Sequence, residues 1–334
     1  MNDKTVLEVK NLRTYFYSKE GMVPAVDGIS FKVHENEVFC IVGESGCGKT
    51  VTSTSILNLI PSTSGKIMEG SSVKLLGKEL VGLKEKQMQD IRGNEISMIF
   101  QDPMTSFSPV TAIGKQLMEP LIRHKKIDKH LARQEAIALL KKVGITSPES
   151  RMKAYPHELS GGMRQRIMIA MALACDPKVL IADEPTTALD VTIQAQILEI
   201  ILELKEKMNT AIILITHDMG VVADVSDTVM VMYAGNAMEF GNKKQIFKNA
   251  LHPYTRGLLA SIPRLDRKVD FLYSIDGTLP KLHVGMRGCK FASRCPHVQG
   301  KCQENTPPLF NVIDNYGKNH KVACWNYEAN SVEG

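Results

Sequence analysis

Gly43-Glu44-Ser45-Gly46-Cys47-Gly48-Lys49-Thr50 sets three glycines, a lysine and a threonine hydroxyl at the spacing G-x-x-x-x-G-K-S/T. That order suits polyphosphate binding. The glycines let successive backbone N–H groups curl around a phosphate, and a following helix turns its positive end toward it. On this reading Lys49 reaches the β- and γ-phosphates of a nucleotide and Thr50 holds Mg²⁺. The pattern needs a strand before it and a helix after it. Residues 37–42 read as that strand, and residues 51–60 as a helix that stops before Pro61.

A second set of groups completes such a chemistry. Val179-Leu180-Ile181-Ala182-Asp183-Glu184 is an apolar run ending in two acids. Ionised carboxylates at the end of a buried strand are costly unless they meet a cation or water, and strand ends in open α/β sheets are where ligands bind. Asp183 then fits a Mg²⁺ contact, and Glu184 the group that polarises an attacking water. Leu159-Ser160-Gly161-Gly162-Met163, followed by Arg164-Gln165-Arg166, opens an apolar helix reaching Ala174. A turn of this kind is another anion site built of backbone N–H groups. Gln101 ends the strand expected at 97–100, and His217 follows the strand expected at 211–215.

In chain order these features resemble the ABC ATPases: phosphate loop, Q-loop (Gln101), signature (Ser160, Gly161, Gly162, Met163), acidic strand, D-loop (Thr187-Ala188-Leu189-Asp190) and switch histidine (His217). The resemblance covers roughly residues 5–250. It implies a P-loop NTPase core and a head-to-tail dimer with two ATPs between subunits, so that the signature acts in trans. It implies that Glu184, His217 and Gln101 form the catalytic set, with His217 on the γ-phosphate. Gln101 would join Thr50 and Asp183 at Mg²⁺, and Asp190 would couple the two sites. An upstream aromatic stacks on adenine in this family. Phe16 is the expected residue, with Tyr15 and Tyr17 open. Met163 stands where the family most often has Gln. The phosphate-facing atoms come from Ser and Gly, so activity is still expected.

These groups need a scaffold. Short β-branched runs at 37–42, 97–100, 179–182, 211–215 and 228–232 alternate with helical patterns, the signature of an α/β domain with a mostly parallel sheet. Ile193, Ile197, Ile200, Ile201, Leu204 and Met208 form one apolar face of a helix between two of the strands. From 103 to 155 the pattern turns helical, with helices expected at 113–122 and 131–143. The expected organisation is an ATPase domain over 1–264, holding a helical subdomain at about 103–175, then a small loop-rich domain over 265–334.

Longer strings narrow the branch. Gln101-Asp102-Pro103-Met104-Thr105-Ser106, Tyr155-Pro156-His157-Glu158 and His252-Pro253-Tyr254-Thr255 resemble the ATPase subunits of dipeptide and oligopeptide importers. That branch implies ATP-driven peptide import, with nickel or another small solute as the alternative cargo. It implies a second ABC ATPase subunit (a paralogue favoured, a homodimer open), two membrane permease subunits, and an extracytoplasmic substrate-binding protein acting indirectly. The chain would sit peripherally on the cytoplasmic face of the cell membrane. A soluble ABC ATPase acting on nucleic acid or the ribosome is the rival, but such proteins usually carry two cassettes in one chain or a long coiled-coil insert. The net charge of +5, spread along 334 residues, gives no separate argument for nucleic acid. No apolar run approaches the roughly 20 residues of a membrane helix.

Cys40, Cys47 and Cys175 read as reduced packing residues. Cys289, Cys295, Cys302 and Cys324 place four thiols in the tail. Spacing alone leaves zinc and an iron–sulfur cluster open, since zinc ligands usually come as closer pairs and clusters accept varied spacing. Peptide-importer ATPases with this pattern are thought to carry a [4Fe–4S] cluster, so the resemblance favours the cluster over Zn²⁺.

Overall fold

The structure is a computed structural model and describes residues 4–102, 106–186, 191–262 and 273–331. The chain divides into two compact units. One draws on Met1–Leu7, Val33–Glu37 and Gly82–Leu214, the other on Glu8–Lys32, Val38–Val81 and Ile215–Gly334.

The chain opens with two long strands, β1 (Thr5–Ser18) and β2 (Gly21–His34). Along β2, Ile29, Phe31 and Val33 are buried while Ser30 and Lys32 are exposed, the alternation of a strand with one wet face. Charged residues interrupt both segments, which hides them from a search for continuous apolar runs. β3 (Val38–Val42) is buried at every position, as a strand covered on both faces should be. α1 (Lys49–Ile56) begins earlier and ends sooner than the 51–60 expected from sequence. Asn58 takes φ 50° just beyond it, a left-handed residue that stops the helix before Pro61 is reached. The short strands β4 (Gly65–Ile67), β5 (Ser72–Leu75) and β6 (Lys78–Glu79) complete a sheet ordered β2-β1-β5-β6, with β4 paired to β1.

Within the first unit, α2 (Glu85–Ile91) leads into β7 (Ile96–Ile99). Then come α3 (Ile113–Lys125), α4 (Lys129–Lys142), α5 (Pro148–Arg151) and α6 (Gly161–Ala172), of which α3, α4 and α6 pack together. β8 (Val179–Asp183) is buried throughout and runs parallel to β7, pairing Ile96 with Val179 and Ile99 with Ala182. α7 (Val191–Met208) buries Ile197 and Ile201 from its apolar face and returns to β9 (Ala211–Thr216), next to β8 in the order β9-β8-β7.

The second unit resumes with α8 (Met219–Val225), β10 (Thr228–Tyr233), β11 (Asn236–Asn242), α9 (Lys243–Lys248) and α10 (Pro253–Ala260). It closes with α11 (Gly300–Glu304), β12 (Phe310–Asp314) and β13 (Gly317–Val322). Its strand order is β12-β13-β11-β10-β3, with β10 parallel to β3 and the others antiparallel. The tail is therefore not simply loop-rich, as sequence suggested: its hairpin extends the sheet by pairing Glu239 with Val322 and Phe240 with Lys321. A polar knot holds it there. His320 is fully buried, with Nε2 2.7 Å from Glu239 Oε1 and Nδ1 2.7 Å from Asp314 Oδ2. Glu239 also accepts the N–H groups of Leu251 and His252 at 2.7 and 2.9 Å. Leu251, Val312 and Val322 form the small apolar cluster behind the hairpin.

Candidate functional site

In the second unit β3 delivers the chain into the glycine loop. Gly43, Gly46 and Gly48 take φ of 152°, 79° and 105°, a region that side chains rarely enter. A Cβ on Gly43 would run into the Met232 carbonyl, and one on Gly48 into the Ala25 carbonyl, so the loop is closed by backbone approaching backbone. Gly48 caps α1 and brings its first N–H groups to the loop. Lys49 is 5 % exposed, and its Nζ donates to the carbonyls of Gly43 and Glu44 at 2.7 and 3.0 Å. The ammonium is thereby stored on the loop it would leave for a phosphate. Ser45, Gly46 and Thr50 are exposed on the loop, which leaves the threonine hydroxyl accessible for a hydrated cation. Cys47 is buried, and burial pushes its thiol pKa up, so it packs as a small apolar group.

The first unit assembles the acids. Asp183 closes β8 and is 1 % exposed. Glu184 follows with φ 45°, a left-handed backbone that costs a non-glycine residue energy and is commonest at functional positions. Its Oε2 accepts from Gln101 Nε2 at 3.1 Å, a contact between residues 83 apart in sequence. Ser160 caps α6, its Oγ accepting from the Met163 N–H at 3.3 Å. Among the described residues, Gly161 has open space where a side chain would stand, and Gly162 would meet only Ile193. The helix end is thus an uncovered backbone surface suited to an anion. Gln165 is buried and donates to the Pro185 carbonyl, tying the signature helix to the chain just after Glu184.

His217 lies exposed just past β9. Of the three aromatics, Tyr15 donates its hydroxyl to Asp27 Oδ1 at 2.8 Å. Burial, then that bond, pushes its pKa up to about 12. Phe16 is half-buried on β1, paired with Gly65 of β4, and Tyr17 is exposed. Thr187 to Asp190, with the expected D-loop aspartate, lie outside the described residues.

The four tail cysteines line one cavity, together with His252 and Phe291. The Cys289 N–H donates to the Cys302 carbonyl at 2.7 Å. Burial pushes the Cys289 thiol up to about 11, and those of Cys295 and Cys324 upward as well. Among the described residues no group of three or more His, Cys, Asp or Glu is placed to hold a metal ion.

Two contacts had no signal in any motif. The Glu44 N–H donates to Tyr254 Oη at 2.9 Å, and the Glu44 carboxylate is held by Arg294. Both partners lie more than 200 residues along the chain, beyond the reach of local spacing.

Residues 26–187 match the family described as ABC transporter, and residues 238–302 match the oligopeptide/dipeptide transporter, C-terminal region. The chain is 52% identical over 329 residues to the oligopeptide transport ATP-binding protein AppD of Bacillus subtilis, covering 98% of this chain and 99% of that one. It is 53% identical to the dipeptide transport ATP-binding protein DppD of the same organism, covering 96% and 94%. Among solved structures it resembles the dimeric post-hydrolysis state of the ATP-binding cassette MJ0796 bound to ADP and Pi. There the TM-score is 0.64 and the identity 25%, over 71% of this chain and 98% of that one. It also resembles cbiO1 from Clostridium perfringens, part of the ABC transporter complex cbiONQ, with TM-score 0.62 and 26% identity over 74% and 92%.

Proposed function

This chain belongs to the ABC transporter family, in its oligopeptide and dipeptide ATP-binding branch, and from that premise we propose that it is the ATP-hydrolysing subunit of a peptide importer. The observation that carries the reading is its identity of about half, end to end, with ATP-binding proteins named for oligopeptide and dipeptide transport. Lys49 and the glycine-loop amides hold the phosphates; Thr50, Asp183 and Gln101 hold Mg²⁺; Glu184 polarises the attacking water. Gln101 keeps the Glu184 carboxylate aimed until water arrives. His217 contacts the γ-phosphate, Phe16 stacks on adenine, and Asp190 links paired sites. Ser160 to Met163 offer their open helix end to the ATP of a second ATPase subunit, a paralogue or an identical copy. No helix among the described residues is long and apolar enough to cross a membrane. As in a peptide importer, two permease subunits carry the solute, a substrate-binding protein delivers it, and this chain works from the cytoplasmic face. Glu184→Gln should bind ATP as the parent does, while turnover drops by about 10²–10⁴-fold. Unchanged steady-state ATPase activity would refute the assignment of Glu184.

The cysteine cavity adds a further reading: Cys289, Cys295, Cys302 and Cys324 bind a [4Fe–4S] cluster. Four thiols around a shared cavity supply its donor set. Bound, the cluster would cross-link a tail with only a small apolar core of its own. Anaerobically purified protein should contain iron and acid-labile sulfide and absorb near ~400 nm. Stoichiometric zinc without iron would overturn the cluster.

A further inference from the structure

One guanidinium ties the cysteine-bearing segment to the phosphate loop. Arg294, the residue before Cys295, donates Nη1 to Glu44 Oε2 at 2.8 Å and Nη2 to Glu44 Oε1 at 3.1 Å. The fork is itself fixed. Its Nε donates to the Asp276 carbonyl at 2.7 Å, Nη2 to the Ile275 carbonyl at 2.9 Å, and Nη1 to Tyr233 Oη at 3.2 Å. The guanidinium lies over the Tyr233 ring, 5.6 Å from its centroid, and the side chain is only 5% exposed. Glu44 is gripped at three points: its N–H by Tyr254, its carbonyl by Lys49, its carboxylate by Arg294. A second tie leaves the same segment next to Cys289, where Lys290 Nζ is 3.3 Å from Asp27 Oδ2, the carboxylate that also accepts from Tyr15.

Glu44 follows Gly43 directly, in a loop built to receive a polyanion. A bare carboxylate there repels phosphate across a short distance. A bidentate guanidinium cancels that charge and fixes the direction of the side chain, which a lysine ammonium does not do. We infer that Arg294 is a positioning residue for nucleotide binding: paired with Glu44, it neutralises the phosphate loop and holds its shape, so that the cysteine-bearing segment sets the loop's affinity for ATP. This rests on reading residues 43–50 as the ATP site.

The test is ATP affinity by calorimetry on the full chain, for the parent and for Arg294→Gln, Arg294→Lys, Arg294→Gln/Glu44→Gln and Lys49→Ala. Arg294→Gln should weaken ATP binding about tenfold, the scale of one lost charge-assisted bidentate contact. The double variant should recover most of that loss, because the exposed carboxylate is gone. A merely structural Arg294 would give no such rescue. Parent-like affinity in Arg294→Gln, or a double variant no better than the single, would overturn the inference. Should Arg294→Gln fail to fold, Arg294→Lys carries the test: binding several-fold weaker supports the fork, and parent-like affinity refutes it. Lys49→Ala separates the two claims. If it binds ATP like the parent, the ATP site itself is misassigned; if it loses binding while Arg294→Gln does not, only the role of Arg294 falls.

Discussion

At the scale of single residues, the chemistry rests on a few backbone conformations that only particular side chains tolerate. Gly43 is the sharpest case, since φ of 152° and the Met232 carbonyl both forbid a Cβ. Gly43→Ala should lose ATP binding and lower stability by about 1–3 kcal/mol. Thermal melts with and without ATP check this: the parent is shifted upward by nucleotide, the variant is not, and a parent-like shift would contradict it. Glu184 shows the opposite economy, because a residue with a Cβ is kept at φ 45° for its carboxylate. Both positions were legible from sequence, since spacing and residue type state the chemistry directly. The contacts of Arg294 and Tyr254 with Glu44 were not, because a contact across 250 or 210 positions leaves no periodicity to read.

Elements that are apolar throughout announced themselves. β3, β8 and β9 are buried at every position, and residues 37–42, 179–182 and 211–215 identified them to within a residue or two. β1 and β2 escaped because their wet faces carry charges such as Glu8, Lys10 and Lys32, which pair with one another at the surface. The hairpin of β12 and β13 escaped because its anchor is polar. His320 sits between two carboxylates. Burial pushes its pKa down, but its bonds to Glu239 and Asp314 outweigh that and raise it overall. The folded state therefore holds this proton more tightly than the unfolded chain does. The stabilisation is complete below the unfolded value of about 6.5 and is lost as pH rises through the higher folded value. His320→Gln should cost about 3 kcal/mol or more near pH 6, because a buried carboxylate loses its partner. Denaturant titrations at pH 6 and pH 9 should show the gap between parent and variant narrowing at the alkaline end. A gap that widens there would contradict the knot.

At the scale of the whole molecule, the two units carry different halves of the chemistry. One holds the phosphate loop and His217, the other Gln101, Glu184 and the signature. This chain also leaves the end of α6 open among the described residues. Its overall role was legible because motif order survives any folding. The tail's attachment to the phosphate loop was not, because it depends on three-dimensional closure. The central claim is that ATP turnover here powers peptide import. Its most direct test is uptake of radiolabelled dipeptides, longer peptides and nickel by cells lacking this gene, complemented with the parent or with Glu184→Gln. The account predicts that peptide uptake is lost on deletion, restored by the parent and not by Glu184→Gln, while nickel uptake is unaffected. Peptide uptake that persists without the gene, or restoration by Glu184→Gln, would contradict it.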